Sequence, residues 1–137
     1  MADKAEKIIG VEIVPEAVED AKFNAKLNGT ENAEFLCSDA SYAAERLAEN
    51  GITPDVIIVD PPRKGCSAEL ISVITEKFKP ERVVYVSCDP ATFARDAKLF
   101  GEKGYTLREY TPVDMFPRTS HIETVGLLES AKDLSEY

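Results

Sequence analysis

In Val83-Val84-Tyr85-Val86-Ser87-Cys88-Asp89-Pro90, four apolar residues give way to Ser-Cys and then Asp-Pro, which reads as a buried strand turning into a helix. Proline is pre-organised for the first helical position. The Cys88 thiol therefore falls in the turn between strand end and helix N-terminus. The positive end of a helix dipole favours anions, and thiolate is the nucleophilic form of cysteine. A second stretch, Val56-Ile57-Ile58-Val59-Asp60-Pro61-Pro62-Arg63, ends a strand the same way but with a carboxylate. A third, Ser120-His121-Ile122-Glu123, sets a carboxylate just before a last apolar strand. These three strand ends are expected to meet in one site with Cys88 as its nucleophile.

Outward from these stretches, strands are expected at Ile8–Ile13, Ala33–Cys37, Asp55–Val59, Arg82–Ser87, Tyr105–Thr111 and Glu123–Glu129. Helices are expected at Pro15–Leu27, Ala40–Asn50, from Cys66 or Ser67 to Phe78, and Asp89–Lys103, with Phe93, Ala94, Ala97 and Phe100 of the last facing inward. Asn28-Gly29, Asn50-Gly51 and Gly104 supply helix stops. The near-continuous apolar run of Asp55–Val59 reads as a strand buried on both faces. The order βαβαβαβαββ implies an α/β fold, a parallel sheet with helices on both faces. Ligands of such sheets bind outside the carboxyl ends of the strands. Glu12, Asp39, Asp60 and Cys88 all fall on that edge. One domain is expected over residues 1–130, with a polar tail at 131–137.

A chain of 137 residues has room for one real core. It is 44% hydrophobic and 30% charged, ordinary proportions for a globular protein. No apolar run is long enough for a membrane span, and the N-terminus lacks the apolar core of a secretory signal. The 3 cysteines (Cys37, Cys66, Cys88) show no CxxC spacing, which argues against a disulfide framework or a metal site and fits a reducing cytoplasm. The net charge of −9 argues against this piece alone gripping nucleic acid by its phosphates.

Each candidate has a plainer alternative. Glu12, ending its strand, can accept from ribose hydroxyls, or it can be a helix-start acid favoured by the dipole. Asp39 can accept from an adenine amino group or cap the following helix. Asp60 is more specific, because two prolines lock the backbone after it and a structural turn does not need acid, two prolines and Arg63 together. Cys37 reads as core and Cys66 has no acid–proline frame, which leaves Cys88 as the reactive thiol. His121, the sole histidine, reads as a loop residue. Glu123, at the mouth of a buried strand, suits a general base.

In combination and order, Val11-Glu12, Ser38-Asp39, Asp60-Pro61-Pro62-Arg63-Lys64-Gly65, Val86-Ser87-Cys88-Asp89-Pro90 and Phe116-Pro117-Arg118-Thr119-Ser120-His121-Ile122-Glu123 resemble the RNA uracil-5-methyltransferase family. The resemblance runs from about Ile8 to Leu128. It implies a Rossmann-like methyltransferase fold and S-adenosyl-L-methionine as cofactor. It also implies methylation of uracil C5 in transfer or ribosomal RNA through a covalent Cys–C6 adduct. Cys88 takes the place of the family's nucleophile and Glu123 that of its general base, while Glu12, Asp39 and Asp60 take those of cofactor-site acids. The target uridine would have to leave its stack.

The usual Gly-rich cofactor turn and the strand before it are missing, so the chain is expected to be the C-terminal portion of a longer RNA-binding enzyme and inactive alone. In the family's sheet order the missing strand lies between those at Ile8 and Asp55. Its gap leaves two outcomes, direct pairing of those strands or self-association of two chains. The alternatives are a methyltransferase of the same fold acting on cytosine or on a base amino group, and a non-catalytic Rossmann-like binding module. Arg63 stands where amino-methylating relatives carry an aromatic residue, and the Pro-Cys of cytosine methyltransferases is absent.

Overall fold

The structure, a computed structural model, describes residues 2–115 and 122–131. The chain divides into two units, Met1–Leu47 and Ala48–Tyr137. In the first, β1 (Ile8–Glu12) and β2 (Ala33–Cys37) pair in parallel, from Ile8 opposite Ala33 to Glu12 opposite Cys37. Helix α1 (Pro15–Leu27) joins them, with Pro15 in its first turn and acidic Glu16 beside it. Asn32 donates to the carbonyls of Ala2 (2.9 Å) and Ala5 (2.7 Å), which ties down the N-terminal turn. Helix α2 (Ala40–Glu49) follows β2 and buries Ala43 and Ala44.

The second unit holds β3 (Val56–Val59), α3 (Ala68–Ser72), β4 (Arg82–Ser87), α4 (Pro90–Glu102), β5 (Tyr105–Val113) and β6 (Glu123–Ser130). Helix α3 widens into a π-helical turn, Val73–Phe78, that closes with Lys79 in the left-handed region. The sheet order is β3-β4-β6-β5. β3 and β4 are parallel, and β6 inserts antiparallel between β4 and β5. The sheet is thus mixed, because β6 runs antiparallel to both of its neighbours.

The core gathers Val59, Ile71, Ile74, Val83, Tyr85, Phe93, Phe100, Tyr105 and Leu128. Each fully buried apolar side chain of this kind contributes about 1.5–3 kcal/mol. Tyr85 meets Phe93 edge-on at 5.4 Å, and Phe100 meets Tyr105 at 6.0 Å. Gly126 lets the Phe93 ring lie against the sheet, since any Cβ there would collide with it.

Three local expectations need correction. β3 is buried on one face only: Ile57 and Val59 face the core, while Val56 and Ile58 are 41% and 47% exposed. By register and pleat, Val84, Val86, Val125 and Leu127 share that outer face. An all-apolar strand cannot reveal which face is covered. Cys37 is exposed, not core. On α4 the inward residue beside Phe93 and Phe100 is Asp96, and Ala94 is exposed. Each unit has its own sheet: β1 bonds to β2 in the first, and β3 is a terminal strand of the second. The expected tail beyond Ala131 lies outside the described residues. Among those described, no helix is long and apolar enough to cross a membrane.

An exposed apolar edge strand is a template for pairing with another chain. The isolated chain is expected to self-associate with rising concentration in sedimentation velocity, and Ile58→Lys to reduce that association. A single mass at all concentrations would contradict this.

Candidate functional site

Register brings three of the five candidate residues to one edge of the second sheet. The β4–β6 ladder ends with Ser87 opposite Thr124. The next positions, Cys88 and Glu123, therefore stand level with one another. β3 ends with Val59 opposite Tyr85, which sets Asp60 level with Val86, two residues short of Cys88. Cys88 and Glu123 are partly buried and Asp60 is exposed. His121 and the rest of the 116–121 segment lie outside the described residues.

The turn carrying Cys88 is fixed by its neighbours. Ser87 Oγ donates to the Asp89 carbonyl (2.9 Å) and accepts from the Asp89 amide (3.1 Å). Asp89 caps α4, its carboxylate accepting from the Thr92 amide at 2.8 Å. That amide, with the positive charge of Arg63 adding to it, holds the Asp89 carboxyl below its ordinary range. The loop after Asp60 is fixed as well: the Gly65 amide closes a turn onto the Pro62 carbonyl at 2.8 Å.

Glu12 and Asp39 sit in the first unit, at the carboxyl ends of the paired strands β1 and β2. The Ser38 amide donates to the Glu12 carbonyl at 2.9 Å. Both acids make the plainer contacts allowed by the sequence. Glu12 Oε1 accepts from the Val14 amide at the start of α1 (2.9 Å). Asp39 Oδ1 accepts from the amides of Ser41 (2.9 Å) and Tyr42 (3.1 Å), capping α2. A carboxylate offers about four lone-pair sites, so both exposed acids keep capacity to accept from ribose hydroxyls or an adenine amino group. In chemistry and exposure they fit an adenosine-bearing cofactor.

The three thiols differ sharply. Cys66 is buried, and burial, reinforced by the negative charge of Asp96, pushes its thiol up to about 11. It stays protonated and inert at neutral pH. Cys37 is exposed, its Sγ 3.8 Å from the Ile13 carbonyl, and its register partner is Glu12, whose carboxylate already accepts from the Val14 amide.

Sequence reasoning passed over Asp96. This carboxylate is fully buried and accepts from the Tyr85 hydroxyl at 2.6 Å and the Cys66 amide at 2.8 Å. Burial, with the hydrogen bond to Asp96 next, raises the Tyr85 phenol well above its usual range. The signal was present: an acid three residues after Phe93 and four before Phe100 lies on the apolar face of its helix.

An α/β sheet with carboxylates at its strand ends belongs to a widely used architecture, and solved structures identify which one. The chain matches an S-adenosylmethionine-dependent methyltransferase from Agrobacterium tumefaciens with a TM-score of 0.72 at 21% identity, over 93% of this chain and 50% of that one. The fold is the Rossmann-like fold of such methyltransferases. Within that class, the chain belongs to the tRNA (uracil-5-)-methyltransferase family, whose sequence profile matches residues 1–131. An uncharacterized RNA methyltransferase of Bacillus cereus is 53% identical over 128 residues, 93% of this chain and 28% of that protein. One of Enterococcus faecalis is 51% identical over 133 residues, 97% of this chain and 29% of that protein. The chain therefore spans under a third of the length of these relatives.

Groups that must stay neutral when folded make stability fall at high pH. For Cys66, stability is fully present below its unfolded value of 9.0 and is lost as pH rises toward about 11. Tyr85 acts in the same direction. Denaturant titrations between about pH 8 and about pH 11 are expected to show a fall of about 2–3 kcal/mol from Cys66. Cys66→Ala should flatten that part of the profile, and an unchanged slope in the variant would contradict the assignment.

Proposed function

We propose that this chain carries the catalytic half-site of an RNA uracil-5-methyltransferase, with Cys88 as nucleophile and Glu123 as general base. The observation that carries the reading is the β4–β6 register, which sets a thiol at a helix start level with a carboxylate at a strand start. Family membership supports the same chemistry.

Uracil C5 is too weak a nucleophile to take a methyl group unaided. The Cys88 thiolate adds to C6, forming an S–C bond and pushing the ring electrons onto C5 and the O4 enolate. S-adenosyl-L-methionine supplies an electrophilic methyl group when bound. With C5 methylated, Glu123 takes the C5 proton, the C5–C6 double bond re-forms, and the S–C bond breaks to release Cys88. Asp60, held by the two prolines after it, would hydrogen-bond the target base or the cofactor. Glu12 would hold the ribose hydroxyls and Asp39 the adenine amino group. The target uridine enters flipped or from a loop, since a stacked base does not expose C6 to a thiol.

The RNA, transfer or ribosomal, is gripped by basic surface outside this acidic chain, which carries a net charge of −9. The reaction takes place in the cytoplasm. By itself the chain methylates no RNA and binds S-adenosyl-L-methionine more weakly than micromolar.

In the full-length enzyme, Cys88→Ala is expected to abolish 5-methyluridine formation, by at least about 10³-fold, while cofactor binding by calorimetry stays within a few-fold. Glu123→Gln should accumulate a methylated covalent protein–RNA complex, visible as a denaturation-resistant band. Methylation by Cys88→Ala at more than a tenth of the wild-type rate would sink the nucleophile assignment.

A further inference from the structure

The Asp96 carboxylate is 0% exposed and carries four hydrogen bonds. Oδ2 accepts from the Cys66 amide (2.8 Å) and the Tyr85 hydroxyl (2.6 Å). Oδ1 accepts from Arg95 Nε (2.9 Å) and Nη2 (2.7 Å). Arg95 Nη2 also donates to the Lys64 carbonyl at 2.7 Å, and Thr92 Oγ1 to the Arg63 carbonyl at 2.9 Å. Three contacts within little more than one helical turn thus join one loop to one helix: Arg63 to Thr92, Lys64 to Arg95 and Cys66 to Asp96. The loop begins at Asp60, and the helix begins one residue after Asp89, which follows Cys88.

Two further features show that the junction is tight. Gly65 has φ +82°, and any Cβ there would collide with the Asp96 carboxylate, the Thr92 methyl and the Arg95 guanidinium. The loop backbone therefore lies directly on the polar cluster, where only glycine fits. The Arg95–Asp96 pair is also a poor source of net stability, since the Asp96 carboxylate is fully desolvated while the half-exposed Arg95 side chain is screened by solvent. What four directional bonds to one carboxylate do supply is a fixed geometry.

We propose that Asp96 is a positioning residue: with Arg95 and Tyr85 it clamps the Asp60–Cys66 loop onto the helix that follows Cys88, and so sets the position of the Asp60 carboxylate relative to the thiol. This rests on the reading of Cys88 as nucleophile. Displacing reacting groups by about 1 Å can cost about 10²-fold in rate without touching the chemistry. Loss of the clamp should therefore lower turnover far more than binding.

The test uses the full-length enzyme and Asp96→Asn, which keeps the shape and one acceptor oxygen but sets an amide donor or a neutral oxygen against Arg95. Expected are a 10- to 100-fold lower kcat (about the range cited for such displacements), KM values within about threefold, and faster hydrogen exchange at the amides of residues 64–66. Wild-type exchange in the variant, or a kcat within about twofold of wild type, overturns the proposal. A uniform loss of folded protein with unchanged specific activity also overturns it, since that is all a purely structural role predicts. If Asp96→Asn does not fold, Tyr85→Phe removes one donor while keeping the ring, and a smaller fall in kcat, about fivefold, with the same faster exchange is expected. If the wild-type enzyme makes no 5-methyluridine, the functional reading fails by itself, while faster exchange at residues 64–66 in the variant still supports the clamp.

Discussion

The second unit depends on β4 being paired on both sides. Parallel pairing with β3 and antiparallel pairing with β6 fix the strand in two directions at once. Tyr85, in the middle of β4, packs its ring on Phe93 and sends its hydroxyl to Asp96. The strand then ends at Ser87, whose hydroxyl braces the turn that holds Cys88. Because a ladder admits no half-steps, fixing Val86 opposite Val125 also fixes Cys88 level with Glu123. A slip of one residue along β6 would carry Val125 and Leu127 to the core face and bring Thr124 rather than Glu123 level with the thiol.

Polar groups do the local aiming. The Asp89 cap and the Asp96 cluster lie within two turns of α4, and one orients the thiol turn while the other holds the carboxylate loop. The same burial that keeps Tyr85 and Cys66 neutral removes Cys66 from competition as a nucleophile. The first unit shows another economy of polar groups: Glu12 and Asp39 brace helix starts through their backbone contacts while keeping acceptor capacity at strand ends.

Element order was legible because helices and strands here differ in period and are separated by Pro, Gly and Asn. The Asp60 and Cys88 strand ends were legible because each apolar run breaks off at an acid–proline sequence, and Glu123 because it stands directly before the last apolar run. Strand order was not, since the insertion of β6 between β4 and β5 is a long-range choice with no local periodicity. Nor was the exposure of Val56 and Ile58, because an apolar strand looks alike whether one face or both are covered. Asp96 was missed for a different reason. A helical acid is read as solvated by default, and only its spacing from Phe93 and Phe100 marks it as inward.

The identity of the thiol that bonds to the base decides the mechanism. Full-length enzyme incubated with S-adenosyl-L-methionine and RNA bearing 5-fluorouridine should stall after methyl transfer, because fluorine at C5 cannot leave as a proton. Proteolysis and mass spectrometry of the stalled complex are expected to place the nucleotide on the peptide containing Cys88. A nucleotide on Cys37 or Cys66, or no adduct with an enzyme active on ordinary RNA, would contradict it.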